Sequence, residues 1–263
     1  MSEFIGKCDN AIREKNSRLC VGLDPSSFLF RENGIPEKYF GKKNEIEGMK
    51  EFCFEIIEKT AQHASAFKIN AQYSFPFGLK TLQELNKEIE KSGCVSIYDL
   101  KLNDIGTSNE SSIYWMQKAG FDAFTFSPFA GNIAEAARAA HERKMGIIVL
   151  TLMSNKGARF FMRDATIQGK KGYEWIATQI KKENCDGAVV GATNSESEIK
   201  KIRQIMGEEK VMLVPGVGAQ GGKIESVLKN GGKTLINIGR SLIYDKNPEE
   251  KAKSYRNEFN GRE

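Results

Sequence analysis

The chain has 263 residues, 40% hydrophobic and 28% charged, the balance of a soluble globular protein with material for a sizeable core, and this excludes intrinsic disorder. No window approaches the run of about 18 apolar residues that a membrane span needs, and the opening MSEFIGKCDNAIREKN is polar and mixed in charge rather than signal-like, so the cytoplasm is the expected location. The formal net charge of +5, from 39 Lys and Arg against 34 Asp and Glu, is spread along the chain, which argues against nucleic acid and suits an anionic small ligand.

The segment before Leu19 reads as a helix able to close one end of a barrel. Eight short apolar runs then follow: Leu19–Leu23, Ala66–Ile69, Val95–Leu100, Ala123–Phe126, Gly146–Leu150, Gly187–Val190, Val211–Val214 and Thr234–Ile238. Amphipathic stretches of helical period separate most of them: Glu47–Gln62, Leu79–Lys91, Ser111–Ala119, Ile133–Arg143, Tyr173–Lys182, Glu196–Met206 and Lys223–Asn230. This alternation predicts an α/β fold, a parallel (β/α)8 TIM barrel with an N-terminal helix, rather than an open doubly wound sheet. No internal repeat or linker interrupts it, so one catalytic domain over residues 1–263 is expected. Two stretches fall outside the pattern. Residues 154–172 read as a long Gly- and Lys-bearing connection, and residues 244–263 as a charged surface helix.

Cysteine and histidine offer little chemistry. Cys8, Cys20, Cys53, Cys94 and Cys185 are widely spaced and form no CxxC pair, which supports neither a zinc ribbon nor a disulfide scaffold. His63 and His141 lie in helix-like stretches beside alanines and read as packed or surface helix residues.

Active sites of parallel barrels are built at the C-terminal ends of the strands. The first run ends in Asp24-Pro25, the second contains Lys68 and leads to Asn70, and the third ends in Asp99-Leu100-Lys101-Leu102-Asn103-Asp104. Strand alternation puts Asp99 and Lys101 on one face, inward if Ile97 is inward, and at one rim with Lys68. A single Asp-x-Lys pair at a strand end is more often a partly solvated ion pair than a catalytic device. Four charged residues on two neighbouring strand ends favour catalysis, because a lysine held between carboxylates stays protonated and oriented, ready to give a proton to carbon.

After the seventh run comes PGVGAQGG, and after the eighth NIGR. Gly216, Gly218 and Gly221 match the dinucleotide fingerprint, but only the 47 residues from Val217 onward follow the first glycine, too few for that fold. Glycine amides with Gly239-Arg240 instead suit the phosphate site of a barrel; simple tight turns are the bland reading.

Lys68 in AFKIN, Asp99-x-Lys101-x-x-Asp104 in DLKLNDIG, the early GLDP, VPGVGAQGG and NIGRSLIY together resemble orotidine 5′-phosphate decarboxylase, in the longer subgroup of that family. DxKxxD alone is shared with sugar-phosphate enzymes; with the upstream lysine, the GAQ loop and the Gly-Arg end it is specific. The resemblance implies a homodimeric barrel that converts orotidine 5′-phosphate to UMP, the last step of de novo pyrimidine nucleotide synthesis, with no metal and no organic cofactor. Lys68, Asp99, Lys101 and Asp104 would form the charged tetrad, Asp104 reaching the neighbouring subunit's site, and Lys101 would protonate the carbon that loses carbon dioxide. Asp99 would sit near the substrate carboxylate. Asp24 and Lys68 would bind ribose hydroxyls with Asn70 close by, and Ser154 would face the pyrimidine. Pro215 opens the loop whose Gln220, with Gly239 and Arg240, would hold the phosphate. Ile105 and Ser108 would complete the contribution to the neighbour; the family usually has Thr at the latter position, and here Thr107 precedes it. The alternatives are a magnesium-dependent sugar-phosphate decarboxylase or aldolase on the same barrel, and a non-catalytic nucleotide-binding barrel.

Overall fold

The computed structural model describes residues 2–27, 34–39, 44–217, 224–230 and 232–261. Eight parallel strands close into a barrel: β1 (Leu19–Leu23), β2 (Ala66–Asn70), β3 (Val95–Leu102), β4 (Ala123–Phe126), β5 (Gly146–Leu152), β8 (Gly187–Val190), β9 (Val211–Pro215) and β10 (Thr234–Ile238). The intervening β6 (Thr166–Ile167) and β7 (Lys170–Lys171) form a separate antiparallel hairpin. β1 pairs with both β2 and β10, so no edge is left open. The expected α/β TIM barrel is therefore the observed fold, with each apolar run found as a strand.

The strands are apolar on both faces because helices cover the outside and side chains fill the inside. All of β1 and β5 is buried. Inward positions form a layer that includes Cys20, Ala66, Ile97, Ala123, Ile148, Val189, Leu213 and Leu235. Helix α1 (Glu3–Lys15), capped by Ser2, sends Phe4, Ile5, Cys8 and Ala11 into that layer from the N-terminal end. The fit depends on Gly146: a Cβ there would lie 2.4 Å from the Phe4 ring. The barrel is thus plugged at its base, and a cavity can open only at the other end.

Outside, α2 (Glu45–Thr60), the short α3 (Ala71–Ser74), α4 (Leu79–Lys91), α5 (Gly106–Lys118), α6 (Ile133–Glu142), α7 (Gly172–Lys182), α8 (Glu196–Met206), α9 (Ile224–Leu228), α10 (Arg240–Ile243) and α11 (Pro248–Phe259) complete the layer. Helix α5 starts five positions before the Ser111 expected from periodicity. The polar GTSNE stretch carries no apolar stripe, but buried Asn109 holds the preceding loop by donating to Asp104 O at 2.5 Å and accepting from Asp104 N at 3.2 Å. Residues 154–172 are also more ordered than a plain connection: Arg159–Asp164 makes a π-helical turn and the β6–β7 hairpin follows. Among the described residues no helix is long and apolar enough to cross a membrane.

Candidate active site

Two residues beyond the apolar layer, the inward positions of β2, β3 and β4 become polar: Lys68 follows Ala66, Asp99 follows Ile97 and Thr125 follows Ala123. The Asp99 carboxylate is the hub. Lys68 Nζ donates to its Oδ2 at 3.0 Å, and Lys101 Nζ to its Oδ1 at 2.8 Å. Thr125 Oγ1 donates to Oδ1 as well, at 2.8 Å. On the far side of Lys68 lies Asp24, Oδ1 at 3.9 Å from Nζ. Charges therefore alternate along one rim, Asp24, Lys68, Asp99, Lys101.

Simple alternation accounts for Lys68 and Asp99 but not for Lys101. The β3–β4 register shifts between Tyr98 and Leu102, and Lys101 takes a left-handed backbone with φ of 53°. That conformation costs a non-glycine residue about 1–2 kcal/mol. Lys101 reaches Asp99 through a bulge, and its backbone N–H is held by Thr125 Oγ1 at 2.9 Å.

Burial by itself would raise the Asp99 pKa, but Lys68 and Lys101 outweigh it and hold the carboxyl well below its ordinary range. Burial likewise disfavours the Lys68 ammonium; Asp99 and Asp24 outweigh that and hold its pKa above the ordinary lysine value. Both groups are charged at neutral pH. Asp24 Oδ1 is buried and has no hydrogen-bond partner among the described residues, so one strong acceptor faces the site unused.

A cavity of about 190 Å³ opens beside this rim. Lys68, Asp99, Lys101 and Thr125 form its polar wall, and Leu150, Met153, Val189 and Leu213 its apolar one, with Ser154 and Pro215 at the edge. Ser154 packs so closely on Gly191 that a Cβ there would lie 2.8 Å from Ser154 Cβ. Asn70 is half-buried and accepts from Gln72 N at 3.2 Å, which starts α3. Gly239 lies where β1 and β10 pass closely: a Cβ on it would sit 3.5 Å from Asp24 Oδ2. Arg240 follows, exposed at the start of α10. Gln220 lies outside the described residues, as do Gly218 and Gly221.

Asp104 stands apart from the other three tetrad candidates within this chain. It is exposed, and its backbone carbonyl also accepts from Asn132 Nδ2 at 2.9 Å. Ile105 and Ser108 are exposed beside it, Ser108 N donating to Ile105 O at 3.2 Å. Phe129, Phe160 and Phe161 are all more than half exposed and meet edge to face, and Ile105 is likewise more than half exposed.

The profile of the orotidine 5′-phosphate decarboxylase / HUMPS family matches residues 17–255, which includes every strand of the barrel. The chain belongs to this family. A relative from Caldicellulosiruptor saccharolyticus, named orotidine 5′-phosphate decarboxylase, is 32% identical over 279 aligned positions covering 93% of this chain and 90% of that protein. Among solved structures, the Leishmania donovani OMP decarboxylase superposes with a TM-score of 0.80 at 25% identity, covering 99% of this chain and 98% of that one. The Methanocaldococcus jannaschii orotidine 5′-monophosphate decarboxylase, solved with the inhibitor BMP, gives 0.71 at 25% identity over 92% of this chain and 97% of that one.

Two residues of this family member were not singled out by its sequence. Thr125 binds both Asp99 and the Lys101 backbone; its signal was a polar side chain at an inward position of the otherwise apolar AFTF strand. Tyr244 donates its hydroxyl to Asp24 O at 3.0 Å and accepts from Ser26 N at 3.0 Å, so it fixes the backbone under Asp24. It closes the NIGRSLIY motif, but only the fold brings it to the end of β1.

Proposed function

We propose that this chain is a carboxy-lyase that converts orotidine 5′-phosphate to UMP and carbon dioxide, in the cytoplasm, as the last step of de novo pyrimidine nucleotide synthesis. The observation that carries this reading is the row Asp24, Lys68, Asp99 and Lys101 facing a cavity with one polar and one apolar wall. Membership of the decarboxylase family supports it.

The reaction breaks the bond between a pyrimidine ring carbon and its carboxylate, leaving the electron pair on that carbon. Lys101 stabilises the developing negative charge and then delivers an Nζ proton to it, with carbon dioxide as the other product. The 2.8 Å contact with Asp99 aims that ammonium. Two unit charges about 4 Å apart at an effective dielectric of about 20 interact by roughly 4 kcal/mol, so one lysine is a substantial part of the effect and not the whole. The remainder comes from the remote phosphate, held by Arg240, Gly239 and Gln220, with closure over it excluding water.

Asp24 Oδ1, beside Lys68 and with no hydrogen-bond partner among the described residues, suits a ribose hydroxyl, which donates to the carboxylate and accepts from the ammonium. Asn70 pairs in register with Asp99 and would lie close to the ribose, and Ser154 and Pro215, which line the cavity, would face the pyrimidine. The chain acts as a homodimer of single-domain barrels in which Asp104, Ile105 and Ser108 complete the neighbour's site. Exposed Ile105, next to Asp104, is part of the surface that such a partner would cover.

Following the loss of orotidine 5′-phosphate absorbance, with and without EDTA, tests the reading. Turnover unaffected by EDTA is expected. No turnover of orotidine 5′-phosphate, with EDTA-sensitive turnover of a sugar phosphate, points to the metal-dependent alternative, and binding without turnover to the non-catalytic one.

A further inference from the structure

The bulge that delivers Lys101 leaves a backbone N–H without its usual strand partner. β3 places Asp99, Leu100 and Lys101 between Tyr98 and Leu102, whereas β4 places only Thr125 between the partners Phe124 and Phe126. Ladder hydrogen bonding cannot continue across that mismatch, and an unpaired amide at a largely buried site is costly. The acceptor is supplied by the Thr125 hydroxyl, at 2.9 Å from Lys101 N. The same oxygen donates its proton to Asp99 Oδ1 at 2.8 Å, the atom that also receives Lys101 Nζ. One buried hydroxyl thus ties together the backbone of the lysine, the carboxylate that aims its side chain, and the neighbouring strand.

We infer that Thr125 is a positioning residue for the decarboxylation: its hydroxyl holds Lys101 in the left-handed bulge and orients the Asp99 carboxylate on which the lysine rests. The assignment rests on the activity proposed above for this site. Threonine suits the role sterically as well as chemically. Its β-branch fits a strand, and the hydroxyl can donate and accept at once, which no apolar residue of the same shape does.

Thr125→Val keeps the volume and removes both hydrogen bonds; Thr125→Ser keeps both. In the wild type and the serine variant the Lys101 amide is expected to be protected from hydrogen exchange, and in folded Thr125→Val protection should fall at least about tenfold while other β3 and β4 amides keep theirs. With orotidine 5′-phosphate, kcat should fall about 10- to 100-fold in the valine variant, UMP affinity should change less than about threefold, and the serine variant should recover to within about fivefold of wild type. Unchanged Lys101 exchange, or kcat within about twofold of wild type in folded Thr125→Val, overturns the inference. An inactive wild type overturns the proposed activity alone, and the exchange measurement then decides the role of Thr125 by itself.

Discussion

Asp122 and Asp186 precede β4 and β8 at the N-terminal end of the barrel, while Asp24 follows β1 and Asp99 lies on β3 at the opposite end. At the N-terminal end each carboxylate is saturated by groups of its own surroundings. Asp186 accepts from Ile147 N at 2.9 Å, contacts His141 Nε2 at 2.9 Å and receives the Ser2 hydroxyl. Asp122 accepts from Ser96 N at 2.9 Å and Lys7 Nζ at 2.8 Å. At the C-terminal end, Asp99 is equally saturated, but its donors are Thr125 and two lysines that face a cavity, and Asp24 keeps a buried oxygen with no hydrogen-bond partner among the described residues. The same side chain therefore serves as a clamp where its partners are backbone and helix, and lines a cavity where its partners are paired lysines.

The sharpest way to break this contrast is to exchange consequences between the two ends. Lys101→Ala should lower kcat by about 10³-fold or more while UMP binding remains measurable and thermal stability is nearly unchanged; near-normal turnover would remove the lysine from the chemistry. Asp186→Ala should do the reverse, costing about 3 kcal/mol of stability by leaving a buried backbone N–H and its other partners unmatched, with kcat per folded molecule preserved. Denaturant unfolding read beside activity checks both.

Arg240→Ala should weaken binding of phosphorylated ligands by about 2 kcal/mol, the scale of a charge-assisted hydrogen bond, with much less effect on the unphosphorylated nucleoside. Isothermal titration with UMP and uridine separates the two, and equal losses would contradict a phosphate role.

A pH series sharpens the comparison further. The Asp99 carboxyl is held below its ordinary value of 3.8, so the stability that it contributes is fully present above that value and is lost as pH falls below it, at up to about 1.4 kcal/mol per pH unit. Acid unfolding of Asp99→Asn should lack this component. The smallest effect belongs to Lys7→Ala, where half-exposed Lys7 pairs with Asp122 at the surface of the plug, and the expected loss is under about 1 kcal/mol by thermal unfolding.

Much of this molecule was legible as sequence because its determinants are local. The strands are short apolar runs bounded by polar residues, and Leu79–Lys91 and Glu196–Met206 match their observed helices end to end, each carrying a regular apolar stripe. Lys68 and Asp99 could be assigned to one rim because the period of a strand fixes which side chains share a face. Where the deciding partner is distant, the reading fell short. The early start of α5 depends on Asn109 gripping the Asp104 loop, and a polar stretch carries no periodic signal of that grip. The bulge at Lys101 depends on register with β4, a property of two strands and not of either alone.

By itself, then, the sequence determined the barrel, the strand ends that carry charge and the family to which the chain belongs, since alternation, helical period and short motifs are written into neighbouring residues. The tertiary structure alone decided how closely Asp24 approaches Lys68 and that Thr125 binds Asp99 and the Lys101 backbone together. Those outcomes rest on distances between strands, and closing the barrel is what sets them.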